Sequence, residues 1–85
     1  MRLPLIKHIN NFISENDEDY VEEAVELLEH LSESSNLKDE ELDVLGEIIS
    51  NLYGSLEVQR LIKNGTPEKE AANIFMKRVM GSIDK

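Results

Sequence analysis

The chain reads as an all-α domain, a compact four-helix bundle whose third helix is either long or kinked near Gly54. Three observations predict this. Proline and glycine punctuate the 85 residues sparsely, two and four in number. No stretch of strand length alternates β-branched with polar residues. Four segments instead repeat apolar residues at helical spacing. Eighty-five residues suffice for one domain, 1–85, and not for two.

In the first segment Leu5, Ile6, Ile9, Phe12 and Ile13 share a face, with Lys7, His8, Asn10 and Asn11 assigned to the other. Pro4 suits the opening turn, where a helix has no use for its own amide hydrogens. Ser14 to Asp17 forms a connection, and Asn16 or Asp17 caps a second helix running to about Ser32. At about 100° per residue, Tyr20, Val21, Ala24, Val25, Leu27, Leu28 and Leu31 fall on one arc. Glu18, Asp19, Glu22, Glu23, Glu26 and Glu29 fall on the opposite one.

Ser32 to Asn36 reads as a loop, after which Asn36 or Asp39 caps a third helix with an apolar stripe of Leu42, Leu45, Ile48, Ile49, Leu52 and Leu56. Its acids Asp39, Glu40, Asp43 and Glu47 point away from that stripe. Val58, Leu61 and Ile62 then lie about 150° round from it if the helix continues. Gly54 costs about 1 kcal/mol in a helix interior and Ser55 could cap a new helix. Either the chain kinks there, or one long helix carries two apolar faces and the second needs its own partner surface. Asn64-Gly65 stops this element, Thr66 caps the next and Pro67 takes its first position. Ala72, Phe75, Met76, Val79, Met80 and Ile83 form the buried face of that last helix, and Gly81-Ser82 marks its fraying end.

The net charge of −9 is unevenly placed. Residues 14 to 47 hold 14 acidic side chains against Lys38 alone, while the flanking segments are each mildly basic. With a sequence pI near 4.5, nucleic acid and anionic lipid are disfavoured partners, because both call for clustered Lys and Arg. Cysteine is absent, which removes disulfides, thiolate metal sites and a thiol nucleophile. The apolar start is broken by Lys7 and His8 before a signal core could form, so the expected compartment is the cytoplasm, with no membrane association.

Chemistry-bearing constellations are few. Glu26, His30 and Glu33 have a spacing that can bind a metal, but they lie on the solvent arc, and His8 lacks a glutamate three residues before it to make a paired motif. Gly54-Ser55-Leu56-Glu57 has a passing likeness to the attachment site of acyl carrier proteins. Gly54 stands where those carry aspartate, and the acidic helix here precedes the serine where in carriers it follows. No Gly-x-Ser-x-Gly elbow and no glycine-rich phosphate loop is present. The expectation is a protein that is not an enzyme, with no catalytic residues, no cofactor and no metal. A carrier or small metal-binding protein built on Ser55 or on Glu26, His30 and Glu33 is the alternative. Met76 and Met80 read as core filler, and Tyr20 and Tyr53 as rim positions of the core.

The acidic arc contains like-charge pairs four residues apart, such as Glu18/Glu22, Glu22/Glu26 and Glu29/Glu33, each costing about 0.2 to 0.5 kcal/mol. It suits electrostatic docking, with Glu22, Glu26, Glu29 and Glu33 steering a basic partner or another copy of the chain. Arg60, Lys63, Lys69, Lys77 and Arg78 are the counterparts a second copy would offer. Val58, Leu61 and Ile62 with Ile74 are the expected apolar contact, for a dimer as the first choice of oligomer or for a protein partner. An acidic decoy imitating nucleic acid is a third reading.

At Tyr53-Gly54-Ser55-Leu56-Glu57-Val58-Gln59, Asn64-Gly65-Thr66-Pro67-Glu68-Lys69-Glu70-Ala71 and Phe75-Met76-Lys77-Arg78-Val79-Met80-Gly81, the chain resembles a small all-helical bacterial family of unknown function. The likeness extends to Leu3-Pro4 and Asn16-Asp17-Glu18-Asp19-Tyr20. It implies a short cytoplasmic helical protein with no assigned activity, and it supplies no catalytic residues. Similar proteins accompany thioredoxin-like and peroxiredoxin genes. That implies an adaptor or accessory protein to such enzymes, whose chemistry a chain without cysteine cannot perform.

Overall fold

A computed structural model describes the backbone of residues 2–83 and the side chains of residues 2–78. Four helices follow one another, α1 (Leu3–Glu15), α2 (Asp19–Leu31), α3 (Asp39–Lys63) and α4 (Glu68–Ile83), in a helical bundle-like arrangement, with no strand among the described residues.

Local chemistry sets the helix ends. Pro4 falls in the first turn of α1. Asn16 closes that helix, its side-chain amide donating to the Phe12 carbonyl at 3.0 Å. Neither Asn16 nor Asp17 is the N-cap of α2: that position is Glu18, with no side-chain cap bond, and Asp17 Oδ1 accepts from the Asp19 N–H at 3.2 Å in the turn just before it. At α3 neither Asn36 nor Asp39 caps. Asp39 is already helical, and Glu41 Oε1 reaches back to accept from the Lys38 N–H at 2.9 Å. Gly65, at φ 102°, ends α3 in a left-handed residue. The Gly65 and Thr66 N–H groups donate to the Ile62 and Leu61 carbonyls, each at 3.0 Å, which closes the last turn. Thr66 is thus spent on the end of α3 through its backbone, and its side chain does not cap α4. Pro67 stands one residue ahead of α4 and supplies the carbonyl that accepts from Ala71 at 2.8 Å.

The third helix is long, not kinked: 25 residues run unbroken through Gly54, about 37 Å of helix. Ser55 starts no new helix. It is fully buried and its hydroxyl donates to the Asn51 carbonyl one turn back, at 2.8 Å. The two apolar faces expected of an unbroken α3 are both present, and each finds its cover within the chain. Val58 packs with Ile6, Ala71 and Phe75, with Leu61, Ile62 and Met76 against them. Val21 and Val25 pack with Ile13, flanked by Ile9, Ile49, Leu52 and Leu56. α1 and α3 contribute to both clusters, α4 to the first, α2 to the second.

The bundle is flattened. Its extents are 42 × 35 × 17 Å and its radius of gyration is 13.8 Å, against about 12 Å for a round domain of this length. α2 packs chiefly on α3, whereas α1 and α4 pack on α3 and on each other. α2 meets α1 through Phe12 and Tyr20, whose rings stand edge to face with centroids 5.8 Å apart.

Two buried polar side chains were not legible as such. Asn10 shares its face with Ile6 and Ile13, at spacings of four and three, and is buried with them, not on the polar side with Lys7 and Asn11. Its amide donates to the Ile6 carbonyl at 3.1 Å, while its Oδ1 has no partner. Asn51 is fully buried, and both its polar side-chain atoms are bonded. Its Oδ1 accepts from the Arg2 N–H at 2.9 Å and its Nδ2 donates to the Glu47 carbonyl at 2.8 Å. The Arg2 guanidinium pairs with Glu47 on the same helix, so the start of α1 is pinned to the middle of α3.

Candidate functional site

α2 presents three faces, and their angular order follows from its sequence. Val21, Val25 and Leu28 form the stripe that meets α3. On one flank of it lie Glu22, Glu26, Glu29 and, past the helix end, Glu33; on the other lie Tyr20, Ala24, Leu27 and Leu31. A helix with one principal neighbour can cover only one stripe. The apolar arc read from the sequence is wider than that, and its outer part faces solvent: Leu27 is 67 % exposed and Leu31 44 %.

α3 adds a second exposed stripe beside it. Val44 and Ile48 are 58 % and 43 % exposed. With Leu31, Leu37 and Leu45 they form an open apolar groove of about 430 Å³ between the end of α2 and the start of α3. Glu40 and Glu41, from the first turn of α3, complete its wall. The residue types on this groove offer apolar burial framed by negative charge.

The acidic flank of α2 faces a different neighbour. Tyr53 lies beside Glu22, Glu26 and Glu29, and its hydroxyl donates to Glu29 Oε2 at 2.7 Å. That hydrogen bond raises the Tyr53 pKa above 10.0, helped by partial desolvation and by the charges of Glu29 and Glu26. At the start of α2, Glu18 pairs with Lys63 from the end of α3. The bond to Glu18 raises the Lys63 pKa above 10.5; desolvation opposes the shift, and the charges of Glu18, Asp17 and Asp19 add to it. Repulsion along the acidic arc is therefore relieved from α3, since α2 carries no lysine of its own.

The apolar contact expected at Val58, Leu61, Ile62 and Ile74 is not a free surface. Val58 is 1 % exposed inside the first core cluster, and Leu61 and Ile62 are half-buried against it, because α1 and α4 lie over that part of α3. Ile74 alone of the four is exposed. Glu22, Glu26, Glu29 and Glu33 are all exposed, on the flank away from the apolar groove. Of the cations expected to serve a second copy, Arg60 and Arg78 both hold Glu57, at 3.0 and 3.1 Å, and Lys63 holds Glu18.

Two chemical alternatives lose their footing. Ser55 is sealed in the interior with its hydroxyl already donated, so a prosthetic group has no approach to it. Among the described residues no three His, Asp or Glu side chains gather closely enough to hold a metal ion, and His30 lies exposed on α2 without Glu26 and Glu33 assembled about it. Another cleft, about 480 Å³ between α1 and α4, includes Lys7, Asn10, Glu68 and Lys69, a mixed-charge lining on the opposite side of the core from α2. No described helix is long and apolar enough to cross a membrane.

Ile48 belongs by period to the apolar stripe of α3, yet it and Val44, which lies outside that stripe, both face solvent. The available signal was the excess width of the α2 arc. The chain belongs to a family of unknown function, DUF6952, whose family model matches residues 1–84. No curated protein and no solved structure matches it.

Proposed function

We propose that this family member is a non-enzymatic interaction module, a small helical scaffold that docks a protein partner on the outer face of the α2–α3 hairpin. One observation carries the reading. Leu31, Val44 and Ile48, large aliphatic side chains on two adjacent helices, stay exposed together on one groove although the same helices bury apolar faces elsewhere. Isolated exposed aliphatics are ordinary, whereas a contiguous patch framed by charge marks a contact surface.

The ionic pattern supports the same reading. Glu18, Glu47 and Glu57 are paired within the chain, while Glu22, Glu23, Glu26 and Glu40 have no cation on them among the described residues and leave a field that speeds encounter with a basic partner. The test is co-purification at low salt from the native host, with light scattering on the product and on the chain alone. A stoichiometric complex with one other protein is expected, unaltered by Ser55→Ala or His30→Ala. A chain that recovers no partner, or that occurs only as its own oligomer, overturns the reading.

A further inference from the structure

The apolar groove at the loop end of the α2–α3 hairpin has a shape and a charge, and together they specify its occupant. Its floor is aliphatic, from Leu31, Leu37, Val44 and Ile48. It runs between two neighbouring helices, a setting that receives the apolar stripe of a third helix. Its wall holds Glu40 and Glu41, and the whole surrounding segment, residues 14 to 47, has 14 acids and one lysine. An occupant must therefore bring its own positive charge.

A second copy of the chain, at a net charge of −9, meets that requirement poorly. A symmetric dimer through this groove would set two such acidic segments face to face. A head-to-tail dimer would have to draw on Lys77 and on Lys7 and Lys69, the last two set beside Glu68 in the α1–α4 cleft, because Arg2, Arg60, Lys63 and Arg78 are engaged by Glu47, Glu57, Glu18 and Glu57 of their own chain. We infer that the groove receives a cationic amphipathic helix of a different protein, apolar residues seated on Leu31, Val44 and Ile48 and lysines or arginines turned to Glu40, Glu41 and the neighbouring acids. This rests on the interaction-module reading and gives it a ligand class.

The experiment uses the full chain and a designed helical peptide of about 18 residues, leucine along one face and lysine elsewhere, followed by fluorescence anisotropy. A second peptide carries glutamate for every lysine. The lysine peptide is expected to bind at about 20 mM salt and to weaken roughly tenfold or more at about 500 mM, where charges are screened beyond a few ångströms. The glutamate peptide is expected not to bind. Val44→Asp and Ile48→Ser should each weaken binding roughly tenfold or more with the unfolding midpoint unchanged, both sites being exposed. Glu70→Gln, in the first turn of α4 and outside the groove, should leave binding within about twofold.

Four results would overturn the inference: no binding of the lysine peptide, equal binding of the glutamate peptide, indifference to both groove variants, or self-association of the chain that Val44→Asp abolishes. The two readings separate cleanly in co-purification. A native partner held equally by wild type and by both groove variants sinks the groove assignment and leaves the module standing. No partner for any variant sinks the module itself.

Discussion

Along one line of α3, Val58 is buried and Ile62 half-buried under the rest of the chain, whereas Val44 and Ile48, further toward the start of the helix on the same line, remain in contact with solvent. The side chains are of one kind; the covering differs. α1 begins at the level of Asn51, where its Arg2 N–H is held, and proceeds toward Val58, where Ile6 is seated. It leads away from Ile48 and Val44. A helix face is thus a request for burial, and whether the same chain answers it depends on where the neighbouring helix is anchored.

The largest effect should separate the two halves directly. Ile6→Ala, in the covered half, is expected to destabilise the fold by about 2 to 5 kcal/mol in urea unfolding followed by circular dichroism. Val44→Ala, in the uncovered half, should stay within about 0.5 kcal/mol. Equal costs would mean that both halves are covered. Next comes the anchor: Asn51→Ala gives up two part-buried hydrogen bonds, from the Arg2 N–H and to the Glu47 carbonyl, and should cost about 1 to 3 kcal/mol. Amide exchange should quicken along α1 first, and uniform quickening across all four helices would show that Asn51 does not act through α1.

A smaller effect with the opposite sign is expected at Asn10. Replacing it by leucine gives up one hydrogen bond to Ile6 but removes the unpartnered buried Oδ1, so stability should hold or rise by about 1 kcal/mol. A clear loss would show that the oxygen has a partner in solution. The smallest effect is at the hairpin's acidic flank. The Tyr53 phenol, raised by its bond to Glu29, stabilises the fold fully below pH 10.0 and loses that contribution as pH rises through the higher folded value. In an alkaline absorbance titration, the component that disappears in Tyr53→Phe should have its midpoint above 10.0. A midpoint at or below 10.0 would show that the bond to Glu29 is not made.

Much of this fold was legible. Gly65 announced the end of α3 because a left-handed residue was needed there, and the period of Leu42, Leu45, Ile48, Ile49, Leu52 and Leu56 marked an apolar stripe, of which Ile49, Leu52 and Leu56 pack on the Ile13, Val21 and Val25 cluster. The continuity of α3 was not legible, since Gly54 permits a break without requiring one and only packing on both sides decides. Nor was the fate of Val58, because periodicity tells which way a face points and not which chain covers it. Asn10 was misplaced by residue type, although its spacing from Ile6 and Ile13 argued for the interior. Of the candidate site, the acidic framing was readable from charge alone. The groove was not, because its emptiness depends on how far α1 reaches.

The flattened shape has a dynamic consequence. In a slab 17 Å thick, with two apolar clusters strung along one long helix, the α2 layer rests chiefly on α3 while α1 and α4 also brace each other. Such layers open with different free energies, so native-state exchange should resolve α2 as a unit that opens more readily than the rest. A helix seated against Leu31 and Val44 would then act as a clasp on that layer. Its arrival would register as slower opening of α2 amides, before any change of shape could be seen.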